Sequence, residues 1–385
     1  MKNSLQEAQK EYQEKVAIKN RLAAYYRAQR TKNGLSDMAK IKAYMPDALM
    51  FRHLKRDMVI AHLDFEPILE LIANKQEFVV VSGLNPSSAL HLGHTMLFGL
   101  LFSLQRLGGR IYIPLTNDES YIDGKVATMG ESRRLAYEEI IPSIIAFGFD
   151  PKRTHIYVDT EYPTLYPFAM RVSKYVSMRE VESLFGKEAL TNPGQIFYRG
   201  CEQLAEILMP QLPEFGGPKH TLIPVGMDQH PYILLARDVA KRMKMVPPSE
   251  FVMRFLPSLK NPEEKMSGSK PETAIYLSDT QETIRKKISS AYTGAVSSLE
   301  GHQKFGGVPE ACSVFALLNA YRENDNELGE LYRRYTKGEL LAKELKAIAI
   351  DCISSVVRDH QKKKAEPEIK KEDYLLTQPI QSYIN

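Results

Sequence analysis

The chain has 385 residues, of which 43% are apolar and 25% are charged. This length predicts two or three domains, and the composition excludes a disordered, collagen-like or disulfide-framework protein. Three cysteines, Cys201, Cys312 and Cys352, lie far apart in the sequence, a pattern that favours a reducing compartment. No apolar run is long enough to span a bilayer, and the charged N-terminal segment has no apolar stretch typical of a secretory signal. We therefore expect a cytoplasmic protein with no membrane contact.

The net charge of +4 is unevenly distributed. Residues 1–32 contain eight Lys or Arg and three Glu, a local charge of +5, so the remainder of the chain is close to neutral. Residues 3–30 contain no Gly or Pro and carry apolar residues near helical spacing, which predicts an amphipathic helix. Such a basic helix either contacts nucleic-acid phosphates or presents a solvated face, and the sequence leaves both interpretations open.

From residue 77 onward, short β-rich runs alternate with helical segments. The predicted strands are EFVVVS (77–82), RIYIPLT (110–116), THIYV (154–158), TLIPVG (221–226) and FVMRFLP (251–257). The predicted crossover helices cover 92–107, 131–148 and 231–244. This alternation predicts an α/β fold with a parallel, doubly wound sheet, whose ligands bind at the carboxyl ends of the strands.

After Asp279 the strand pattern stops and helical periodicity continues. Helices are predicted over 280–292, 311–322, 327–336 and 338–361, and the charged segment 361–373 is expected to be solvated. We divide the chain into a helical N-terminal extension (1–50), a Rossmann-like catalytic domain (51–279) and an all-helical C-terminal domain (280–385).

The first predicted strand runs into SGLNPSSALHLGH (82–94) at the start of a helix. A turn of small residues at a helix N-terminus attracts phosphate, and His91 and His94 are spaced to donate hydrogen bonds to it. Gly93 between them allows a flat ligand to lie on the backbone. The chain contains neither GxxxxGK[ST] nor GxGxxG, so a P-loop or dinucleotide site is not supported. A metal pair is the rival interpretation, but no Glu at a suitable offset completes it, and we predict no metal site.

A second motif, EEKMSGSKPET (263–273), follows the last predicted strand. Lys265, Ser267 and Ser269 are the groups needed to neutralise a leaving pyrophosphate and donate hydrogen bonds to it. Alone, this string is also compatible with an ordinary polar loop. Its occurrence with HLGH on one α/β chain favours nucleotide chemistry.

HLGH and KMSGS together resemble the signatures of class I aminoacyl-tRNA synthetases. The segments GMDQHPYILLARDVAKRM (226–243), PLTNDESY (114–121) and GELLAKELKAIAIDCI (338–353) are similar to the tryptophanyl-tRNA synthetases of archaea and eukaryotes. The resemblance covers about residues 55–365. It implies activation of tryptophan with ATP and Mg²⁺, transfer to tRNA(Trp), a homodimer and a helical domain that reads the anticodon.

The resemblance also implies roles for particular residues. It makes His91, His94, Lys265, Ser267 and Ser269 catalytic; Ser82, Gly83, Gly93, Gly226, Asp228 and Met266 ATP-binding; and Glu119, Gln203 and Gln229 amino-acid-binding. The match at Gln203 requires a gap within IFYRGCEQLAEIL (196–208). In the eukaryotic tryptophanyl pattern a Tyr and a Gln lie near the indole nitrogen, whereas Val81 and Pro114 occupy the matching positions here.

Three alternatives stay open at this stage. A tyrosyl-tRNA synthetase shares the architecture and differs in a few pocket residues. Small adenylyltransferases also carry HxGH, but they are compact single domains, and the appended helices argue against them. A non-catalytic RNA-binding relative is the third, and the presence of Lys265, His91 and His94 argues against it.

Overall fold

The computed structural model describes residues 2–46, 49–187, 192–366 and 370–379. In these ranges one sheet contains β1 (Ser36–Asp37), β2 (Val59–Leu63), β3 (Phe78–Val81), β4 (Gly109–Leu115), β5 (Thr154–Val158), β6 (Thr221–Gly226) and β7 (Ser249–Met253). The strand order is β1-β2-β7-β6-β3-β4-β5.

Five adjacent strands form the parallel core that the sequence predicts. β3 pairs in parallel with both β4 and β6, and β5 and β7 extend the core on the two sides. From β3 the chain proceeds to β4 and β5 toward one edge, and later to β6 and β7 on the opposite side. The order therefore reverses between β3 and β6, and a crevice opens at their carboxyl ends. The α/β, doubly wound fold class is confirmed.

Two antiparallel strands at one edge were missed by the sequence pattern. β2 pairs antiparallel with β7, and β1 pairs antiparallel with β2. β1 has two residues, too few for any periodicity to appear. Three of the five residues of β2 are buried and two are half-buried. The strand therefore has no alternation of polar and apolar side chains by which a sequence pattern could identify it.

Burial on both faces explains why β3 is so apolar. All four of its residues, Phe78–Val81, are buried. Phe78 and Val80 pack in one hydrophobic cluster, and Val79 and Val81 pack in another on the opposite face. Because successive side chains of a strand alternate between faces, a strand covered on both sides must be apolar at every position.

Eighteen α-helices are described around the sheet. Those before residue 280 are α1 (Lys2–Lys32), α2 (Met38–Lys42), α3 (Arg52–Lys55), α4 (Glu66–Ala73), α5 (Leu92–Arg106), α6 (Asn117–Ile122), α7 (Met129–Leu135), α8 (Ile141–Ile145), α9 (Leu165–Ser173), α10 (Met178–Phe185), α11 (Pro193–Phe197), α12 (Gln203–Leu208) and α13 (His230–Arg242). Those after it are α14 (Gln281–Ser289), α15 (Leu299–Phe305), α16 (Ser313–Tyr321), α17 (Asp325–Thr336) and α18 (Ala342–Lys364). The predicted helices therefore form, within a few residues of their expected ends.

The predicted helix at 131–148 is interrupted by a π-helical turn. Residues Ala136–Ile140 adopt this turn between α7 and α8. A second π-helical turn, Tyr198–Glu202, joins α11 to α12. Each π-helical turn is a wider turn that accommodates an extra residue without ending the helix, and such turns are frequent near functional sites.

The basic N-terminal helix α1 is docked against the rest of the chain. Tyr12 stacks on Phe305 of α15 with ring centroids 5.8 Å apart. Lys15 donates to the Tyr292 hydroxyl at 2.7 Å. Lys19 pairs with Glu310 at 3.0 Å, so part of the basic charge is used within the chain. Contact between the exposed remainder of α1 and nucleic-acid phosphates stays a prediction.

The C-terminal helices share one hydrophobic cluster with the sheet. Leu345 and Val357 of α18 belong to the same cluster as Phe78 and Ile113. The division of the chain at residue 280 therefore stays a prediction, since the packing is continuous across it. No helix in the described ranges is long and apolar enough to cross a membrane.

The described residues of the charged segment 361–373 are mostly exposed, as expected, but they also contact the fold, and residues 367–369 lie outside the described ranges. Lys364 pairs with Glu139 at 2.6 Å, and Lys371 donates to the Tyr137 carbonyl at 2.8 Å. Immediately after the segment, the backbone around Leu375 pairs with Ile156 of β5. These contacts hold residues 371–376 at the β5 edge of the sheet.

Candidate active site

Two adjoining cavities, which share lining residues such as Ser82, Gly226 and Asp228, lie at the carboxyl ends of β3 and β6. The larger has a volume of about 880 Å³ and the smaller about 400 Å³. The larger is lined by His91, His94, Lys265, Ser267, Ser269, Ser82, Gly83, Gly93, Gly226, Asp228 and Met266, and the smaller by Glu119, Gln203 and Gln229, among others. Every site residue predicted from the sequence therefore lines one of the two, and both volumes suit small-molecule ligands.

His91 and His94 form a reciprocal cap at the N-terminus of α5. His91 Nδ1 accepts the Gly93 N–H at 3.1 Å, and His94 Nδ1 accepts the His91 N–H at 3.3 Å. The rings stack with centroids 3.9 Å apart. Because each Nδ1 accepts a hydrogen bond, the proton of a neutral ring resides on Nε2. Each imidazole is left with an N–H donor for a ligand in the cavity.

Burial lowers the pKa of His91 to about 3, with His94 adding to the effect, and lowers the pKa of His94 to about 4. Both rings are therefore neutral near pH 7. The pair supplies hydrogen bonds to an anion without supplying formal positive charge, which must come from elsewhere in the site.

Close backbone approach explains two of the glycines. A Cβ at Gly83 would lie 2.1 Å from the Pro114 carbonyl oxygen, so no other residue fits where β3 passes β4. A Cβ at Gly93 would lie 2.8 Å from Cε1 of His91. The His91 ring thus occupies part of the space that the sequence assigns to a flat ligand. Ser82 donates to the Pro224 carbonyl at 2.7 Å and joins the ends of β3 and β6.

The KMSGS loop borders the larger cavity and lies against the β3–α5 turn, since a Cβ at Gly268 would lie 2.7 Å from Oγ of Ser88. Nζ of Lys265 lies 3.6 Å from Oδ2 of Asp228, which follows β6. The loop is held by a hydrogen bond from the Met266 N–H to the Leu256 carbonyl at 2.9 Å. Tyr276 donates its hydroxyl proton to the Gly268 carbonyl at 2.8 Å. Lys265 therefore brings an exposed positive charge to a cavity whose two histidines are neutral.

Helix α1 supplies a wall of the larger cavity that the sequence did not indicate. Tyr25 and Tyr26 line it. The Arg254 guanidinium lies 4.8 Å from the Tyr26 ring centroid. Arg21 donates two hydrogen bonds to Glu263, at 2.8 and 2.7 Å, just before the KMSGS loop. The sequence could not indicate that these two tyrosines line a cavity, because their position depends on how α1 docks against the rest of the chain.

Glu119, Gln203 and Gln229 surround the smaller cavity. Oε2 of Glu119 accepts hydrogen bonds from Asn85 and Thr116, each at 3.0 Å. Gln203 donates to Oε1 of Gln229 at 3.0 Å. The gap needed to match Gln203 falls beside the π-helical turn Tyr198–Glu202, which accommodates one extra residue before α12 begins.

Behind the smaller cavity lies a cluster of buried acids that the sequence did not reveal. Carboxyl oxygens of Asp118, Asp159 and Glu202 lie within 4.8 Å of one another. Glu206 neighbours Asp159 in this cluster, and neither carboxyl oxygen of Asp159 has a hydrogen-bond partner among the described residues. Tyr166 donates to Asp118 at 2.6 Å. The histidine pair belongs to no such ligand grouping in the described part of the chain.

Burial is the main cause of the altered acidity in this cluster. It raises the pKa of Glu202 to about 11, and Asp118 contributes. It also raises the pKa of Asp159 and of Glu206 well above the ordinary range, with neighbouring carboxyls adding to the effect. These groups are therefore protonated near pH 7, and the cluster consists mainly of neutral carboxylic acids.

A family profile described as tRNA synthetases class I (W and Y) matches residues 73–357. The chain belongs to this class I synthetase family. Among its relatives, a tryptophan–tRNA ligase of Methanocaldococcus jannaschii is 38% identical over 318 residues, which is 81% of this chain and 85% of the relative. One of Saccharolobus solfataricus is 36% identical and covers 81% of each chain.

Solved synthetase structures have the same fold as this chain. A tryptophanyl-tRNA synthetase from Aeropyrum pernix superimposes with a TM-score of 0.83 at 30% identity, covering 92% of this chain and 96% of that one. A tryptophanyl-tRNA synthetase from Encephalitozoon cuniculi bound to tryptophan has a TM-score of 0.79 at 27% identity, covering 92% of this chain and 100% of that one. The resemblance read from HLGH and KMSGS is therefore confirmed at the level of the family.

Proposed function

We propose that this synthetase is a tryptophan–tRNA ligase, which activates tryptophan with ATP and transfers it to tRNA(Trp). The names of the archaeal relatives support tryptophan as the amino acid. The observation that carries the proposal is that the two cavities share lining residues, while one is lined by both signature motifs and the other has polar groups suited to an amino acid. Ligands in the two cavities are therefore neighbours, which is what a carboxylate and an α-phosphate need in order to react.

The larger cavity is proposed to bind ATP. His91 and His94 donate hydrogen bonds from Nε2–H to phosphate oxygens at the N-terminus of α5, where the helix dipole also favours negative charge. Gly226 and Asp228 are proposed to hold the ribose, and the Asp228 carboxylate accepts hydrogen bonds from the ribose hydroxyls. Ser82 and Gly83 shape the adjoining end of β3, and Gly93 and Met266 are proposed to lie against the adenine.

In the first step a carboxylate oxygen of tryptophan attacks the α-phosphorus. The bond from that phosphorus to the bridging oxygen breaks, which gives tryptophanyl-adenylate and pyrophosphate. Lys265, Ser267 and Ser269 are proposed to stabilise the charge that develops on the pyrophosphate. No covalent nucleophile of the protein is required, because positioning and charge stabilisation dominate this type of transfer.

Mg²⁺ is proposed to arrive with ATP and to neutralise part of its phosphate charge. The residues fit a metal that is carried mainly by substrate, since the carboxylate that lines the larger cavity, Asp228, lies 3.6 Å from the Lys265 ammonium group. The grouped acids Asp118, Asp159 and Glu202 lie on the amino-acid side instead.

The smaller cavity is proposed to bind the amino acid. Glu119 after β4, Gln229 after β6 and Gln203 on α12 present a carboxylate and two amides, which are suitable partners for its ammonium group. The side chain then enters the inner part of the cavity, lined by Val81, Pro114 and three isoleucines: Ile207, Ile223 and Ile233.

Transfer of the acyl group to a terminal ribose hydroxyl of the tRNA completes the reaction. The helices after residue 280 are proposed to read the anticodon through unpaired bases. A homodimer remains a prediction from the resemblance. A cytoplasmic location is also proposed, and it is supported by the three cysteines, all of which are free.

ATP–pyrophosphate exchange measured with each amino acid in turn tests the proposal. Tryptophan is expected to support the fastest exchange. Faster exchange with tyrosine would assign the chain to the tyrosyl branch of the family. Exchange without any amino acid would favour a different adenylyl transfer, and no exchange at all would favour a non-catalytic role.

A further inference from the structure

The two adjoining cavities receive opposite charges under the proposed function: an ammonium group near Glu119 and the phosphates of ATP near the histidine pair. His91 and His94 are neutral near pH 7, so the phosphates require positive charge from other side chains. Among the described residues, Lys125 is the one Lys or Arg that lines both cavities. It belongs to neither signature motif.

The backbone at Lys125 is fixed by the way α6 ends. Gly124 has a φ of 67°, in the left-handed region that favours glycine. Its N–H donates to the Tyr121 carbonyl at 3.0 Å, and the Lys125 N–H donates to the Ser120 carbonyl at 2.9 Å. These two bonds form a Schellman motif, a common end of a helix. The Lys125 backbone is therefore anchored, whereas its side chain is 42% exposed and has room to turn.

The Lys125 ammonium group lies near two carboxylates. Its Nζ is 3.1 Å from Oδ2 of Asp123 and 3.9 Å from Oε1 of Glu119. The other oxygen of Glu119, Oε2, accepts the hydrogen bonds from Asn85 and Thr116. Oε1 is therefore the oxygen that can receive a cationic ligand, and a lysine already lies beside it.

We propose that Lys125 is a placeholder for the ammonium group of the amino acid and changes partner when the amino acid binds. This role rests on the proposed function. Two ammonium groups repel each other at one carboxylate, so the substrate displaces Lys125 from Glu119. The displaced side chain turns into the larger cavity, contacts phosphate oxygens of ATP and stabilises their charge during attack by the carboxylate. Lys125 is then a catalytic residue outside the two motifs.

Asp123 allows this change of partner. Gln195 donates to Oδ1 of Asp123 at 2.9 Å, and Nη2 of Arg199 lies 4.0 Å from the same oxygen. The Asp123 carboxylate therefore keeps a hydrogen bond and a nearby positive charge after Lys125 leaves. Because the Lys125 ammonium group is partly exposed, water replaces its contact at a small cost in free energy.

The exchange of partners links the binding of the two substrates. Without an amino acid, Lys125 is held by carboxylates and contributes less to the binding of ATP. With an amino acid in place, its charge becomes available to the phosphates. The amino acid is therefore expected to strengthen ATP binding, and ATP is expected to strengthen amino acid binding by the same factor.

Lys125→Met tests the proposal in the full chain, because it removes the charge and keeps an unbranched side chain. Tryptophan binding without ATP is measured by indole emission, since the chain has no Trp. Adenylate formation is measured in single turnovers at saturating substrates. Lys125→Met is expected to bind tryptophan about two- to fivefold more tightly, the range for loss of a partly exposed, competing ion pair. Its rate of adenylate formation is expected to fall by about 10- to 100-fold.

A ligand and two further variants serve as controls. Indole-3-propionate lacks the ammonium group, so its affinity is expected not to rise in Lys125→Met. Lys125→Arg keeps the charge and is expected to retain most of the rate of adenylate formation. Lys152→Met changes an exposed lysine that lines neither cavity, and it is expected to match wild type in both measurements.

Tighter binding together with a slower reaction distinguishes this role from a structural one, since damage to the fold weakens binding as well. Weaker or unchanged tryptophan binding in Lys125→Met, or an unchanged rate of adenylate formation, would overturn the role of Lys125. Failure of wild type to activate tryptophan would instead overturn the proposed function. Any other amino acid that wild type activates carries the same ammonium group and replaces tryptophan in the same comparison, so the two failures are distinguishable.

Discussion

His94 accepts the backbone N–H of His91 while the rings of the two residues stack, so each histidine helps to position the other at the start of α5. This arrangement uses both Nδ1 atoms as acceptors and leaves both Nε2 atoms as donors. The signature pair is thus preorganised to bind an anion before ATP arrives, and its neutrality follows from burial.

The first prediction concerns the protonation of this pair. Burial lowers the pKa of His91 to about 3 and of His94 to about 4, so both are expected to remain neutral Nε2–H tautomers from about pH 8 to about pH 5. Selective ¹⁵N labelling of the histidines and NMR titration measure this directly, with His91→Gln and His94→Gln used for assignment. A midpoint near 6.5 for either ring would contradict the prediction.

Lys265 carries the second prediction. Lys265→Ala is expected to lower the rate of adenylate formation by about 10²–10³, while the affinity for tryptophan changes little, because the charge is needed as pyrophosphate forms. Single-turnover adenylate formation and equilibrium tryptophan binding separate the two effects. Lys270→Ala is the control. Lys270 lies five residues after Lys265 on the same loop and pairs with Glu264. Equal losses in the two variants would remove Lys265 from the mechanism.

The third prediction follows from the Tyr26 side chain in the wall of the larger cavity. Tyr26→Ala is expected to raise the KM for ATP by about five- to tenfold, equivalent to roughly 1 kcal/mol of lost contact. The control is Arg27→Ala, which changes an exposed residue of the same helix. Steady-state exchange at varied ATP concentration is the measurement. An unchanged KM would show that α1 borders the cavity without contributing to nucleotide binding.

The sequence predicted the parts of this fold that depend on local patterns. β3 is predictable because burial on both faces leaves a continuous apolar run in the sequence. α5 is predictable because its helical periodicity begins directly after the residue that caps it. β1 was missed because its two residues pair only through tertiary contact with β2. The docking of α1 was missed for the same reason.

Site residues were predictable in proportion to how closely they cluster in sequence. His91 and His94, or Lys265 and Ser267, are neighbours within a motif. Asp159 and Glu206 are separated by a long segment and meet only when β5 and α12 converge. Their burial also contradicts the ordinary preference of acids for the surface, so residue type gave no indication of their position.

The fourth prediction uses this buried cluster. Burial raises the pKa of Glu202 to about 11, so between about pH 4.5 and about pH 11 the folded chain holds a proton that the unfolded chain releases. The free energy of unfolding contributed by Glu202 therefore decreases as pH rises. Glu202→Gln removes this titration and is expected to flatten the decrease. Thermal unfolding midpoints between pH 6 and pH 9 test this, with Glu214→Gln as an acid outside the cluster. Parallel profiles for wild type and Glu202→Gln would contradict it.

The last prediction concerns the amino acid, and the composition offers a direct assay for it. The chain has 20 Tyr and no Trp, so indole emission excited at the long-wavelength edge of the tyrosine band comes only from the ligand. Added tryptophan is expected to show a saturable shift in that emission as its ring moves from water into the smaller cavity.

Tyrosine is expected to displace tryptophan poorly, because its single ring fills less of the apolar cavity than an indole does. Its hydroxyl lies on the ring axis, whereas the indole N–H lies at the ring edge, so the two ligands place their polar groups differently. A size mismatch of this kind is worth about 10- to 200-fold in discrimination. Titration of the tryptophan complex with tyrosine measures the ratio, and phenylalanine serves as a control for ring size without the hydroxyl. If tyrosine displaced tryptophan at a similar concentration, tryptophan specificity would fall, while membership of the synthetase family would be unaffected.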